Sequence, residues 1–244
     1  MRTVYLSPHL DDAAISAGGY IRSEVNSGRR VEIWTCMAGI PPDAEPSEFA
    51  RFQHELWGFG SGVEAMQARR REDLAAAGIL GAASIHLDFL DCIYRRGGQG
   101  QALYSDITLP VQPDDADLPE QIARTVAARL LPDDRVVCQF GVGDHVDHVI
   151  VRRAAERLHR RLVYAADLPY ALIHPEELQP HAAGLQGVRA PVSAADFACW
   201  MRAIECYASQ LVSVFGGRTE MLARMQAFWD EQHGIELWSL PEPA

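Results

Sequence analysis

Residues 3–12 read TVYLSPHLDD, and this stretch decides the fold. Five residues of strand-forming character run straight into a histidine and a pair of aspartates. Residues 13–27 then take a helical apolar pattern that Gly28 ends. The same unit recurs along the chain. Strand-like runs fall at 31–38 (VEIWTCMA), 84–89 (SIHLDF), 135–140 (RVVCQF) and 162–166. Helical patterns fall at 64–80, stopped by Gly81, at 118–131, closed by Pro132, and at 145–161, 194–211 and 219–233. Alternating strands and helices predict an α/β fold, a mainly parallel sheet with helices on both faces. A chain of 244 residues suits a single domain over 1–244. Two segments break the alternation. Residues 39–62 hold Pro41, Pro42 and Pro46 with room for one short helix, and residues 95–117 are rich in Gly, Asp and Pro. Loops of this length usually carry function.

Composition excludes several roles. The formal net charge of −11 repels phosphate backbones and anionic membranes, so nucleic acid is not an expected partner. The run Arg69, Arg70 and Arg71 reads for the most part as a solvated helix face. Without an apolar run of about 18 residues, no membrane insertion is expected. The first twelve residues carry aspartates where a signal peptide needs an apolar core, which makes the expected location cytoplasmic. Cys36, Cys92, Cys138, Cys199 and Cys206 form no CxxC pair; they read as free, small apolar residues.

The chemistry concentrates at strand ends. In open α/β sheets, ligands bind beyond the carboxyl ends of the strands. His9 and Asp12 follow the first strand and are three apart, so a helical turn sets them on one face where they can grip one ion. Asp11 then points elsewhere, free to act as a base, unless it merely caps the next helix. The fourth strand runs into GVGDHVDH, residues 141–148, with His145 and His148 again three apart. Imidazole is a common zinc ligand, and catalytic zinc takes three protein ligands and keeps one position open. Both clusters point to one sheet edge. Spacing alone leaves open whether His145 or His148 binds the metal.

His9-Leu10-Asp11-Asp12 resembles the His-Pro-Asp-Asp signature of the PIG-L/LmbE-like deacetylases, and His145-Val146-Asp147-His148 resembles that family's His-x-Asp-His signature. The helix at 69–81 (RRREDLAAAGILG) and Phe89-Leu90-Asp91 are similar to two further family segments. The resemblance implies a Rossmann-like fold and a zinc-dependent hydrolase. Such enzymes remove N-acetyl groups from N-acetylglucosaminyl lipids, thiol-precursor glycosides, chitobiose-type sugars or glycosylated antibiotics. It implies Zn2+ on His9, Asp12 and His148, and Asp11 as the base for the attacking water. It gives His145 the oxyanion or the leaving amine, Asp147 the task of orienting and charging a histidine such as His145, and Arg69 and Asp91 the sugar hydroxyls. The implied partner is a small N-acetylated sugar or glycoside; self-association stays open. Other metal-dependent cleavage of an amide, carbamoyl or ester bond remains an alternative, as does a metal-containing carbohydrate binder without catalysis.

Three positions depart from the family pattern. Leu10 and Val146 stand where proline is usual, and Ala13 replaces a glutamate that could support the metal. Tyr94, Arg95 and Tyr170 follow strand ends on the same edge and are assigned to the substrate pocket, with a solvated loop as the plain alternative. Trp57 is a candidate lid residue, with exposed hydrophobic packing as an equal alternative. Gly18-Gly19 does not make a dinucleotide fingerprint, because the turn after the first strand is filled by His9 to Asp12.

Overall fold

The computed structural model describes residues 1–241. In chain order the main elements are β1 (Arg2–Ser7), α1 (Asp12–Asn26), β2 (Arg30–Thr35), α2 (Glu48–Trp57), α3 (Gly62–Leu80) and β3 (Ala83–His86). Then come α4 (Leu118–Ala127), β4 (Arg135–Gln139), α5 (Val146–Glu156), β5 (Leu162–Ala165), α6 (Tyr170–Ile173) and α7 (Leu178–Ala182). The last are β6 (Gln186–Pro191), α8 (Ala194–Glu205), α9 (Leu211–Phe215), α10 (Arg218–Gln232) and β7 (Gly234–Ser239).

Among the described residues the sheet has seven strands in the order β3-β2-β1-β4-β5-β7-β6. The first five run parallel. This is the Rossmann-like arrangement, with the chain winding outward from β1 through β2 and β3, then returning to β4 on β1's other side. Strand β1 is buried on both faces, as central parallel strands are. Its Tyr5 enters a core with α1, α3, α8 and α10 residues, and its Val4 and Leu6 enter a second core with α2, α4 and α5. Gly18 and Gly19 are contact residues here. A Cβ on Gly18 would lie 2.3 Å from Trp200 Cδ1, so α1 meets α8 only because that position is bare.

Several boundaries differ from the sequence expectation. The strands expected at 31–38 and 84–89 end at Thr35 and His86. Beyond them the chains bend off the sheet, and Met37 pairs with Asp88 in an isolated antiparallel bridge. The helix expected at 194–211 stops at Glu205, and α9 follows as a separate turn. Strands β6 and β7 were not expected. They form an antiparallel extension of the β5 edge. Strand β6, QGVRAP, is mostly exposed and lacks an alternating apolar pattern, while β7 starts straight after α10 through His233 in the left-handed region, φ 46°. No helix among the described residues is long and apolar enough to cross a membrane.

Candidate metal centre and active site

The strand order reverses between β1 and β4, and a crevice opens at the carboxyl ends of those two strands, as the topology requires. The 8–11 turn enters it from β1 and the 140–145 loop enters from β4. Asp11 occupies the N-cap position of α1, yet its side chain makes no capping bond. The simple capping role is therefore not the one it has, and its carboxylate is left to the crevice.

His9, Asp12 and His148 converge. Asp12 Oδ2 accepts the His9 backbone N–H at 2.8 Å and lies 3.2 Å from His9 Nδ1. The same oxygen lies 3.2 Å from His148 Nε2. Each imidazole is held from behind by a buried carboxylate. His9 Nε2 meets Asp147 Oδ2 at 3.0 Å, and His148 Nδ1 meets Asp167 Oδ1 at 2.7 Å. Asp167 is itself fixed, because its Oδ2 accepts the N–H groups of Gly141 and Val142 at 2.8 and 3.0 Å. A carboxylate behind a histidine fixes its tautomer and ring orientation, the arrangement that suits an imidazole to metal binding.

The electrostatics agree with this donor set. Burial works to raise the Asp12 carboxyl, but the two histidines beside it hold it well below the usual range. Burial works to lower His148, but Asp12 and Asp167 push it up to about 9. His9 is raised well above its ordinary value by Asp12 and Asp147 against the same burial. An anionic oxygen between two imidazoles that attract a cation is a fitting cradle for a divalent ion. Two other groupings of ligand-type atoms occur among the described residues, His9/His145/Asp147 and Asp91/Cys92/Asp147. Both rely on Asp147, which is fully buried and already engaged by His9, the Cys92 N–H and Arg95.

Around this centre, Asp11 Oδ1 lies 3.6 Å from Arg69 Nη2, and Asp91 Oδ2 lies 3.7 Å from Arg69 Nη1. Burial pushes the Asp11 carboxyl up to about 6, with the Arg69 charge opposing. Arg69 is stacked 4.7 Å from the Trp57 ring, and among the described residues its Nε has no hydrogen-bond partner. His145 departs from expectation. Asp147 does not charge it, because that carboxylate is taken by His9 and by Arg95 at 2.6 Å. What His145 receives from Asp147 is the backbone N–H, donated to Nδ1 at 3.2 Å. Burial, then His9 and His148 as neighbouring positive charges, hold His145 well below its ordinary value. With Nδ1 accepting that N–H, Nε2 is the nitrogen left to carry the ring's proton.

These groups line a cavity of about 400 Å³. Its floor is His9, Asp11, Asp12, Asp91, His145 and His148, with Arg69 at one side. Apolar walls come from Leu56 and Trp57 of α2, Ile107, Tyr170 and Ile173 of α6, and Val214 of α9. Tyr170 stands edge-on to the His148 ring, 6.0 Å between centroids. It reaches there over Gly143, whose φ of +85° suits glycine and where a Cβ would lie 2.6 Å from the tyrosine ring. Two residues assigned to the pocket are elsewhere. The short 3-10 turn Cys92–Tyr94 sends Ile93 to the cavity, while Tyr94 hydrogen-bonds His54 of α2 at 2.9 Å. Arg95 is buried beneath α5 on Asp147 and Asp115. Sequence reasoning missed Asp167, although an aspartate just past a strand end on the active edge was a usable signal. It also missed Gln53 and Ser213, which line the cavity with nothing in their local pattern to mark them.

Comparison with known proteins agrees with this geometry. The family described as PIG-L, GlcNAc-PI de-N-acetylase, matches residues 4–159. A 2'-N-acetylparomamine deacetylase from Niallia circulans is 26% identical, aligned over 98% of this chain and 96% of its own. Among solved structures, the zinc-inhibited form of the teicoplanin deacetylase Orf2 is 27% identical, with a TM-score of 0.84 over 98% of this chain and 97% of that one. The A40926 pseudoaglycone deacetylase Dbv21 is 26% identical, with a TM-score of 0.79 over 98% and 96%. The chain belongs to the GlcNAc-PI de-N-acetylase (PIG-L) family, and it is a deacetylase, a hydrolase of amide bonds.

Proposed function

We propose that this protein uses zinc to remove the acetyl, or another short acyl, group from the nitrogen of an amino sugar carried on a larger glycoside. The observation that carries the reading is the pair of imidazoles, each backed by a buried carboxylate and each turned toward Asp12 at the cavity floor. His9, Asp12 and His148 are the ligands in this reading. The ion, when bound, polarises the amide carbonyl and makes water at the site more acidic.

The chain's own residues do the rest. Asp11, ionised, accepts the proton of the attacking water. Its carboxyl is raised to about 6, so it is basic enough to take that proton and acidic enough to pass it to the departing amine. His145 presents Nε2–H to the oxyanion as a fixed hydrogen-bond donor, with its Nδ1 held by the Asp147 N–H. The orientation of His145 through a backbone amide replaces the charged dyad expected from the sequence. Arg69, with a spare Nε donor, and Asp91 are the sugar-hydroxyl contacts, and Tyr170 borders the sugar beside His148. By their names, the relatives are deacetylases of 2'-N-acetylparomamine and of teicoplanin. Leu56 and Ile173, 40% and 51% exposed at the mouth, favour an apolar or aromatic aglycone over a polycationic one.

The test is acetate release from a panel of N-acetylglucosaminides with apolar and with cationic aglycones, with and without chelator. Turnover abolished by chelator and restored by zinc supports the reading. Turnover that survives exhaustive chelation overturns the metal role, and release of any product other than a carboxylate and an amine overturns the reaction.

A further inference from the structure

The loop at 95–117 is tied to the metal centre by one buried chain of charges. Arg95 is only 7% exposed. Its Nε donates to Asp115 Oδ2 at 2.7 Å, and its Nη1 donates to the Leu90 carbonyl at 2.9 Å and forms the 2.6 Å ion pair with Asp147 Oδ1. The Tyr104 hydroxyl donates to the same Asp115 oxygen at 2.7 Å, and the Tyr104 ring lies 5.0 Å from the guanidinium carbon. On the inner side, Asp147 has no solvent exposure. Its other oxygen accepts the Cys92 N–H at 2.9 Å and holds His9 Nε2 at 3.0 Å. The loop meets the same place once more, where the Val146 N–H donates to the Ile107 carbonyl at 2.7 Å.

We propose that Arg95, clamped by Asp115 and Tyr104, is a positioning residue for the metal centre, holding Asp147 in the orientation that fixes His9 as a ligand, and that the 95–117 loop, which also sends Ile107 to the cavity wall, thereby supports the metal from outside. The proposal rests on the zinc reading given above. The physical reason is the cost of the alternative. A carboxylate with no exposure needs compensation, and removing one member of a buried ion pair strands the other. With Arg95 gone, Asp147 has only His9 as a charged partner. It is then free to turn away from the orientation in which it meets His9 Nε2 at 3.0 Å, and the ring that presents Nδ1 toward Asp12 loses its fixed support. Arginine suits the task because a planar fork can bridge two carboxylates at once, which a lysine ammonium on a flexible stem does less well.

The experiment measures zinc affinity by competition with a chromophoric chelator for the full-length wild type, Arg95→Met, Arg95→Lys, Asp115→Asn and Arg96→Ala. Kinetic constants and the melting temperature of the chelated proteins are measured in parallel. Arg96 is the control, since it bonds the Gly100 and Glu45 carbonyls from the same loop without touching Asp147. Support orienters of this kind change metal affinity by about 10–100-fold. The expected result is a loss of that order in Arg95→Met, a smaller loss in Arg95→Lys and Asp115→Asn, and wild-type affinity in Arg96→Ala. KM stays within about twofold while kcat at limiting zinc falls with the affinity. If Arg95→Met does not fold, Asp115→Asn and Arg95→Lys still decide the matter. Wild-type zinc affinity in the Arg95 and Asp115 variants, with only a lowered melting temperature, overturns the proposal and leaves the zinc reading intact. Equal weakening in Arg96→Ala overturns it also, because any loosening of the loop then suffices. A wild type that binds no zinc removes the zinc reading, and this inference with it.

Discussion

Asp167→Asn isolates the support behind His148 with the loss of a single charge. The carboxylate accepts three N–H groups, from His148 Nδ1, Gly141 and Val142, at 2.7, 2.8 and 3.0 Å. An asparagine has one acceptor oxygen and one donor group, so it cannot serve all three. If its oxygen faces the histidine, the amide donors of Gly141 and Val142 meet an NH2 group and stay unsatisfied. That costs about 1–3 kcal/mol for each buried donor. If its oxygen faces the two backbone donors, the NH2 group faces His148 Nδ1. The imidazole then moves its proton to Nε2, the atom 3.2 Å from Asp12, and that nitrogen loses the lone pair a metal needs. The second arrangement strands fewer groups, so the damage passes from the fold to the metal. Zinc affinity should fall by about 10–100-fold, which corresponds to about 1.4–2.8 kcal/mol. The melting temperature of the chelated protein should fall by only a few degrees, since about 1 kcal/mol moves a chain of this size by about 2–4 °C. Chelator competition reads the first quantity and a thermal melt the second. Zinc affinity within about twofold of wild type refutes the tautomer argument. A collapse of stability with affinity preserved shows instead that Asp167 acts only as a brace for the 141–142 turn.

Asp11 carries a pH signature. In its proposed role as the base it must be ionised, so turnover should be lost as pH falls through its pKa, and Asp11→Asn should abolish turnover at every pH while zinc still binds. The Arg69 charge opposes burial at this carboxyl, so Arg69→Met should move the acid limb of kcat to higher pH; a limb that stays put, or moves lower, rejects Asp11 as the group observed. Gly18→Ala tests the α1–α8 contact. The new methyl meets Trp200, which has no exposure and donates to the Ala14 carbonyl at 2.5 Å, so about 1–3 kcal/mol of overpacking outweighs a helix gain of about 1 kcal/mol. The melting temperature should drop by several degrees with kcat per folded molecule unchanged, and an unchanged or raised melting temperature shows that the ring has room to move.

How much of this was legible in the sequence follows from the range of each interaction. The β1 turn was readable because strand, histidine and both aspartates lie within ten residues. The same holds for the cluster after β4, where local spacing fixes which side chains share a face. The five parallel strands announced themselves as short apolar runs, whereas β6 and β7 did not. An exposed edge strand such as β6 has no buried face to impose alternation. The partners of the histidines were harder. Asp147 sits between His145 and His148, and only the fold sends its carboxylate across to His9 and Arg95 while its amide turns back to His145. Arg95 sits in the loop that follows a strand end, the usual place of a pocket residue, yet the chain past the 3-10 turn at Cys92–Tyr94 sets it on Asp147 and Asp115. A one-residue change of direction within three residues is below what periodicity can resolve.

The buried charges at this edge make one condition for fold and function together. Asp11, Asp12, Asp91, Asp147 and Asp167 are all less than a tenth exposed, and the guanidiniums that face them are Arg69 and Arg95. Buried carboxylates in that excess are costly unless further cations join them. Arg95 answers Asp147 and Arg69 lies between Asp11 and Asp91, which leaves Asp12 and Asp167 facing the imidazoles. His148, pushed up to about 9, and His9, raised well above its usual value, are therefore where positive charge collects. Protons on the two rings or one divalent ion between them both meet the need, so loading the site amounts to an exchange of protons for metal. The three departures from the family pattern lie apart from these charges. Leu10 lies against Ala38 and Met66, Val146 lies in the core shared with α4, and Ala13 lies in the core shared with α8. All three face apolar surroundings, and the carboxylates that hold His9 and His148 are those of Asp147 and Asp167 rather than a side chain at position 13.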